Sequence, residues 1–289
     1  MFNYIAFLVF ETKVASTIGK GTVRPDAITL AVVTAGLIGA TVWNLLTWWW
    51  GLPSSSSHAL VGGFAGAAAT AAGPGALILG SPTQTGLIRI GVFIVVAPLL
   101  GLVIGYALMI ATYWTFRRAR PTRIGRLFRR LQLLSAAAYS LGHGGNDAQK
   151  TMGIILAVLI SSGRLNANQP APMWVVLACH AAMGLGTLMG GWRIVKTMGQ
   201  KICKLQPVHG FAAESAGALT LYGATWLGIP VSTTHTITGA IIGVGSTRGI
   251  NAVKWGVAQR VLWAWVLTIP FAAVVGALCW WIFALCGWK

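Results

Sequence analysis

Two short polar stretches interrupt an otherwise apolar chain, and they carry nearly the same residues. GLPSSSSHALVGGFAG runs from Gly51 to Gly66, and GIPVSTTHTITGAIIG from Gly228 to Gly243. Gly51, Pro53, Ser55, His58, Gly62 and Gly66 recur 177 positions later as Gly228, Pro230, Ser232, His235, Gly239 and Gly243. Proline suits the first turn of a helix and Ser or Thr its N-cap, so Pro53-Ser54-Ser55 and Pro230-Val231-Ser232 each predict a fresh helix start. Such a start offers unpaired N–H groups and the positive end of the helix dipole, which together bind anions. The hydroxyls of Ser54, Ser55, Ser56 and Ser57, and of Ser232, Thr233 and Thr234, add neutral donors. Two starts facing each other would surround a tetrahedral oxyanion without a fixed positive charge. The plainer alternative is that these hydroxyls only satisfy a broken helix; the pairing of the two stretches favours binding. His58 and His235, in the first turn of each new helix, suit bracing of the tip through a backbone carbonyl as well as they suit substrate contact.

A third stretch, SLGHGGNDAQKTMG from Ser140 to Gly153, places Asn146 and Asp147 within an apolar run. An ionisable group in mid-membrane is costly and marks an ion or substrate path. Gly142, Gly144 and Gly145 would let the helix unwind or let another backbone approach. On a continuous helix Asp147 and Thr151 share one face, and Asn146 and Lys150 another. A carboxylate repels an oxyanion unless a cation or proton lies between them. Na⁺ held by the Asp147, Asn146 and Thr151 oxygens, or H⁺ on Asp147, would therefore couple anion binding to a co-ion. An Asp147–Lys150 pair that merely holds the helix is the structural alternative. Glu214, in HGFAAESAGAL, aligns with Leu37 in the first half, which fits a single added coupling group.

The composition says what must position these residues. Of 289 residues 56% are hydrophobic and 9% charged, whereas about a quarter of a soluble domain is charged. Glu11, Asp26, Asp147 and Glu214 are the four carboxylates, against 21 Lys and Arg, for a net charge of +17. So few charges cannot cover a soluble surface of this size, and the chain reads as an all-α polytopic membrane protein. Seven Arg lie in RRARPTRIGRLFRR, residues 117–130, between two long apolar runs. That is the positive-inside pattern rather than a nucleic-acid-binding face, so no nucleic-acid partner is expected. Cys179, Cys203, Cys279 and Cys286 show no metal spacing. Trp48, Trp49, Trp50, Trp280, Trp281 and Trp288 read as anchors at span ends.

Placing the basic segment in the cytoplasm puts 73–86, which has no Lys or Arg, outside, and 192–207 and 246–260 inside. The first polar hairpin then begins outside and the second inside. Opposed repeats with interrupted helices are the architecture of secondary transporters, whose site forms where the halves meet near the midplane. The fold expected is an inverted-repeat secondary transporter with two re-entrant or broken-helix hairpins. Residues 1–116 form the first repeat with hairpin 27–72, residues 117–130 a basic cytoplasmic loop, and residues 131–289 the second repeat with hairpin 208–245. By the same offset, the first-half counterpart of the Asn146-Asp147 helix falls upstream of Met1, so the chain is expected to open partway into its first repeat.

GHGGNDAQKTMG, GLPSSSSHALVGG and GIPVSTTHTITGAIIG together resemble the motifs of the PiT family of inorganic phosphate transporters, in the right order and over nearly the whole chain. The resemblance implies inverted repeats, a homodimer in the cell membrane, and phosphate carried by an elevator-like movement with Na⁺ or H⁺, with no other cofactor. It implies a site made of two Asn-Asp helices and both Ser/Thr tips, nominating Asn146, Asp147 and Thr151 together with Ser55–Ser57 and Ser232–Thr234. Glu214 resembles a position that is acidic in many members. The family's first Asn-Asp helix has no counterpart between Met1 and Lys289. Bacterial sulfate permeases belong to the same family, so sulfate is the second substrate, and a non-transporting remnant is the alternative outside transport. A serine hydrolase is disfavoured: two near-identical Ser/His tips do not make one asymmetric active site, and no GxSxG elbow is present.

Overall fold

The computed structural model describes residues 1–288, and these are helical apart from turns and one isolated β-bridge between Val23 and Leu77. A short α1 (Phe2–Ile5) and α2 (Lys13–Gly21) precede the first hairpin, α3 (Leu30–Trp50) and α4 (Ser56–Ala72). Then come α5 (Leu87–Phe116), α6 (Pro121–Ser161), α7 (Met173–Leu188) and the short α8 (Trp192–Lys196), which runs on into a π-helical turn at Thr197–Ile202. The second hairpin is α9 (Pro207–Trp226) with α10 (Thr233–Ser246), and α11 (Trp255–Leu285) follows. Among the described residues three helices, α3, α5 and α11, are long and apolar enough to cross a membrane. The bent pair of α7 with Trp192–Ile202 makes a fourth if it is one span.

Local sequence explains the ends of the hairpin arms. Thr29 caps α3 by accepting from the Val32 N–H, and Gln206 and His209 form a reciprocal capping box at the start of α9. Both first arms stop at a glycine with φ near +66°, Gly51 and Gly228, a left-handed conformation that a side chain would disfavour. Two sequence expectations are corrected. The prolines do not sit in the first helical turn: Ser55 and Ser232 are the N-caps, and Pro53 and Pro230 lie two residues upstream in the connecting turn. Proline's fixed φ suits the extended turn as well as it suits a helix. The basic segment 117–130 is also largely not a loop. Only residues 117–120 turn, and α6 starts at Pro121 and continues for 41 residues, about 60 Å. Arg and Leu are good helix formers, and Pro at the first position supplies the start that charge counting overlooks. The segment expected as the loop 192–207 is likewise occupied mostly by α8 and the π-helical turn.

Each hairpin packs against the long helix of the other half. On α10, a Cβ at Gly239 or Gly243 would strike the Pro98 or Leu102 carbonyl of α5. On α4, a Cβ at Gly62 or Gly66 would strike the Ile269 or Ala273 carbonyl of α11. Small residues four apart let helix backbones touch where the hydrophobic effect supplies no drive. The outward faces of α5 and α11 remain apolar, with Val95, Leu99, Val103, Trp263, Val266 and Leu278 exposed. Trp48–Trp50 are exposed too, with the Arg193 guanidinium over the Trp48 and Trp49 rings. At the exposed ends of α2 and of the turn before α3, Glu11 pairs with Lys13 at 3.0 Å and Asp26 with Arg24 at 2.9 Å.

Candidate functional site

The glycines of α6 serve close approach rather than unwinding. The helix is continuous from Pro121 to Ser161, and the Asn3 backbone lies against Gly144 and the Phe10 ring against Gly145. Their absent side chains make room for those N-terminal residues. From the same helix Asn146, Asp147 and Lys150, all buried, reach the second hairpin turn. Asn146 clasps that turn. Its Nδ2 donates to Thr225 Oγ1 at 2.9 Å and to the Ile229 carbonyl at 3.2 Å, while its Oδ1 accepts from the Val231 N–H at 3.3 Å. A side-chain amide thus replaces the backbone partners that a broken helix forfeits.

Asp147 and Lys150 form a buried ion pair at 2.5 Å. The second Asp147 oxygen accepts from Thr233 Oγ1 at 2.9 Å and lies 3.3 Å from His143 Nε2. Lys150 Nζ also donates to Ser57 Oγ at 2.7 Å and to the Val231 carbonyl. Three elements therefore meet at one ammonium: α6, the tip of the first hairpin and the turn of the second. The expected sharing of faces is corrected here. Asp147 meets Lys150, three residues on, while Thr151 is exposed. Positions i+3 and i+4 are both neighbours on a helix, and the hairpin tips select the i+3 side.

Ser55 and Ser232 accept from the His58 and His235 N–H groups, each at 3.2 Å, as N-caps do. The histidine rings are not paired with these hydroxyls, so no Ser–His nucleophile is assembled. They pack on each other, centroids 4.7 Å apart and nearly perpendicular, and His235 stacks on Trp265 at 3.8 Å. Both imidazoles are buried, and His58 Nδ1 and both His235 ring nitrogens have no hydrogen-bond partner. The rings thus brace the tips by packing on each other and on Trp265. Each turn is further tied from the opposite half: Thr17 Oγ1 donates to the Gly228 carbonyl and Thr197 Oγ1 to the Gly51 carbonyl, both at 2.8 Å.

A cavity of about 670 Å³ opens onto this cluster, walled by Asn3, His143, Glu214, Thr233 and Thr234 among others. Asn3 holds the cluster from behind, its Oδ1 accepting from Ser140 Oγ at 2.9 Å and facing His143 Nδ1 at 3.2 Å. Of the nominated residues, the structure joins Asn146, Asp147, Ser57 and Thr233 directly, with Ser55 and Ser232 as caps and Thr234 on the cavity wall. It leaves others apart. Ser54 bonds Thr47 at 2.7 Å, Ser56 is exposed, and Glu214 accepts from Ser135 at 2.6 Å on the cavity wall rather than touching Asp147. Thr225, His143 and Asn3 were not nominated from sequence, and Lys150 figured only as a helix-holding partner. The i+3 spacing of Lys150 from Asp147 was the available signal.

The sequence profile described as the phosphate transporter family matches residues 1–276. A probable low-affinity inorganic phosphate transporter of Rhizobium meliloti is 53% identical over 278 residues, covering 96% of this chain and 82% of that protein. One of the same description from Bacillus subtilis is 43% identical, covering 97% and 83%. A solved structure described as the sodium-dependent phosphate transporter superposes with a TM-score of 0.87 at 24% identity, covering 98% of this chain and 88% of that one, a likeness of fold. With three ordered motifs, a transporter fold and these relatives in agreement, the chain is a membrane protein belonging to the phosphate transporter family, whose members are transporters and not enzymes.

Proposed function

We propose that this chain carries inorganic phosphate across the cell membrane in symport with a cation, Na⁺ or H⁺, as a multi-pass homodimer whose two halves run in opposite directions through the bilayer. The supporting observation is the convergence of two serine-capped helix starts on one buried Asp147–Lys150 pair, beside a cavity that reaches Thr233 and Thr234. A dianion needs donors without a repelling carboxylate. The Ser and Thr hydroxyls and the N-terminal amides of α4 and α10 supply donors, and pairing with Lys150 removes the net charge of Asp147. The halves would exchange by movement of the two hairpins together, since Lys150 and the His58–His235 contact join their tips.

The test is uptake of labelled phosphate by cells lacking their own phosphate transporters. Expression of the chain should raise uptake well above the empty-vector level, and excess unlabelled phosphate should compete while sulfate does not. Competition by sulfate alone would move the substrate to the sulfate permeases. Absence of uptake from a well-expressed protein would reject the transport reading.

A further inference from the structure

We propose that the Lys150 ammonium is a tethered cation standing at the position where a coupling cation would neutralise Asp147, so that phosphate uptake by this chain needs no Na⁺ at that carboxylate. The inference rests on the transport reading above and deepens it. A lysine carries three donors and no acceptor. Here three acceptors meet it: Asp147 Oδ1 at 2.5 Å, Ser57 Oγ at 2.7 Å and the Val231 carbonyl. Carboxylate, hydroxyl and carbonyl oxygens are the donor set that hard cations take. The ammonium is buried, and these three oxygens offset its lost hydration. Its three oxygens come from α6, from the first hairpin tip and from the second hairpin turn, which are the elements a bound cation would have to join in coupling anion binding to closure. The other Asp147 oxygen accepts from Thr233 and faces His143, so each carboxylate oxygen already has a protein partner. Lys150 is accordingly a positioning and charge-setting residue, with every donor engaged before any substrate arrives.

Proteoliposomes containing the purified full chain distinguish this from a purely structural lysine. Labelled phosphate uptake is measured with external Na⁺, choline or methylammonium at a fixed pH gradient. Wild type is expected to transport equally, within about twofold, in Na⁺ and in choline. Lys150→Ala should lose at least about tenfold in choline and recover when Na⁺ or methylammonium fills the vacated place. Lys150→Ser, which is uncharged and also leaves room for a small cation, carries the same comparison if Lys150→Ala does not purify as a single species. A wild-type rate that falls about tenfold on replacing Na⁺ by choline would overturn the assignment while leaving phosphate transport standing. So would a variant that keeps its choline rate, or one that neither cation rescues. Wild type silent in all three media would instead reject the transport reading, and this inference with it.

Discussion

The two hairpin turns share their local geometry and differ in what holds them. In both, the amide after the left-handed glycine returns to the preceding helix, Leu52 N–H to the Thr47 carbonyl at 2.9 Å and Ile229 N–H to the Ala224 carbonyl at 2.8 Å. In both, a serine caps the next helix at 3.2 Å. The second turn is then clasped by α6 through Asn146, Asp147 and Lys150, and Ser232 and Thr233 are buried. The first turn receives from α6 the single Lys150–Ser57 bond. It leans instead on Trp265, whose Nε1 donates to the Pro53 carbonyl at 3.0 Å, and on Thr197, while Ser56 stays exposed. Matched sequences thus give matched backbones, and different neighbours make one tip a fixed wall and the other a more open face.

That contrast can be broken from the α6 side. The largest effect is expected from Asp147→Asn, which leaves a buried ammonium without its counter-charge. A cost of about 3–5 kcal/mol should show as a lowered Tm in detergent, together with loss of phosphate uptake. Next, Asn146→Ala removes three bonds from the second turn and strands the Val231 N–H and Ile229 carbonyl, for about 2–4 kcal/mol. Hydrogen exchange should then rise over residues 229–234 and change little over 52–57; equal loosening of both tips would undo the comparison. Trp265→Phe removes the tie to the other tip while keeping a ring beside His235. It forfeits one bond to the Pro53 carbonyl, costs about 1 kcal/mol, and should raise exchange near residues 52–57. The smallest effects sharpen the shared part of the picture. Ser55→Ala and Ser232→Ala should each cost about 1 kcal/mol and be alike, because the caps are alike; a large difference in Tm would show that one serine does more than cap its helix.

Much of the site was legible in the chain before any coordinates. Pro-Ser-His recurring after a glycine marked both turns, because a buried helix break must be capped by nearby hydroxyls. Asp147 stood out because an intramembrane carboxylate demands a partner. Lys150 was legible as that partner by spacing but not as the bridge between the tips, since Ser57 and Val231 lie far from it in sequence. Thr151 was drawn in by its i+4 spacing from Asp147 and Glu214 by its place in the second hairpin, yet Thr151 is exposed and Glu214 bonds Ser135. The basic segment 117–130 read as a loop by charge, yet its first helical proline and helix-forming residues carry α6 through it.

By itself the sequence determined the membrane character, the two broken helices and their caps, and the placement of a carboxylate beside an amide. These follow from composition and from interactions spanning four residues or fewer, which any fold must respect. Only the tertiary structure decided which turn Asn146 clasps, that the rings of His58 and His235 meet, and that one ammonium closes the gap between two hairpins. Those contacts join residues about 80 to 180 positions apart, whose meeting depends on how glycine-lined helices stack rather than on any local preference.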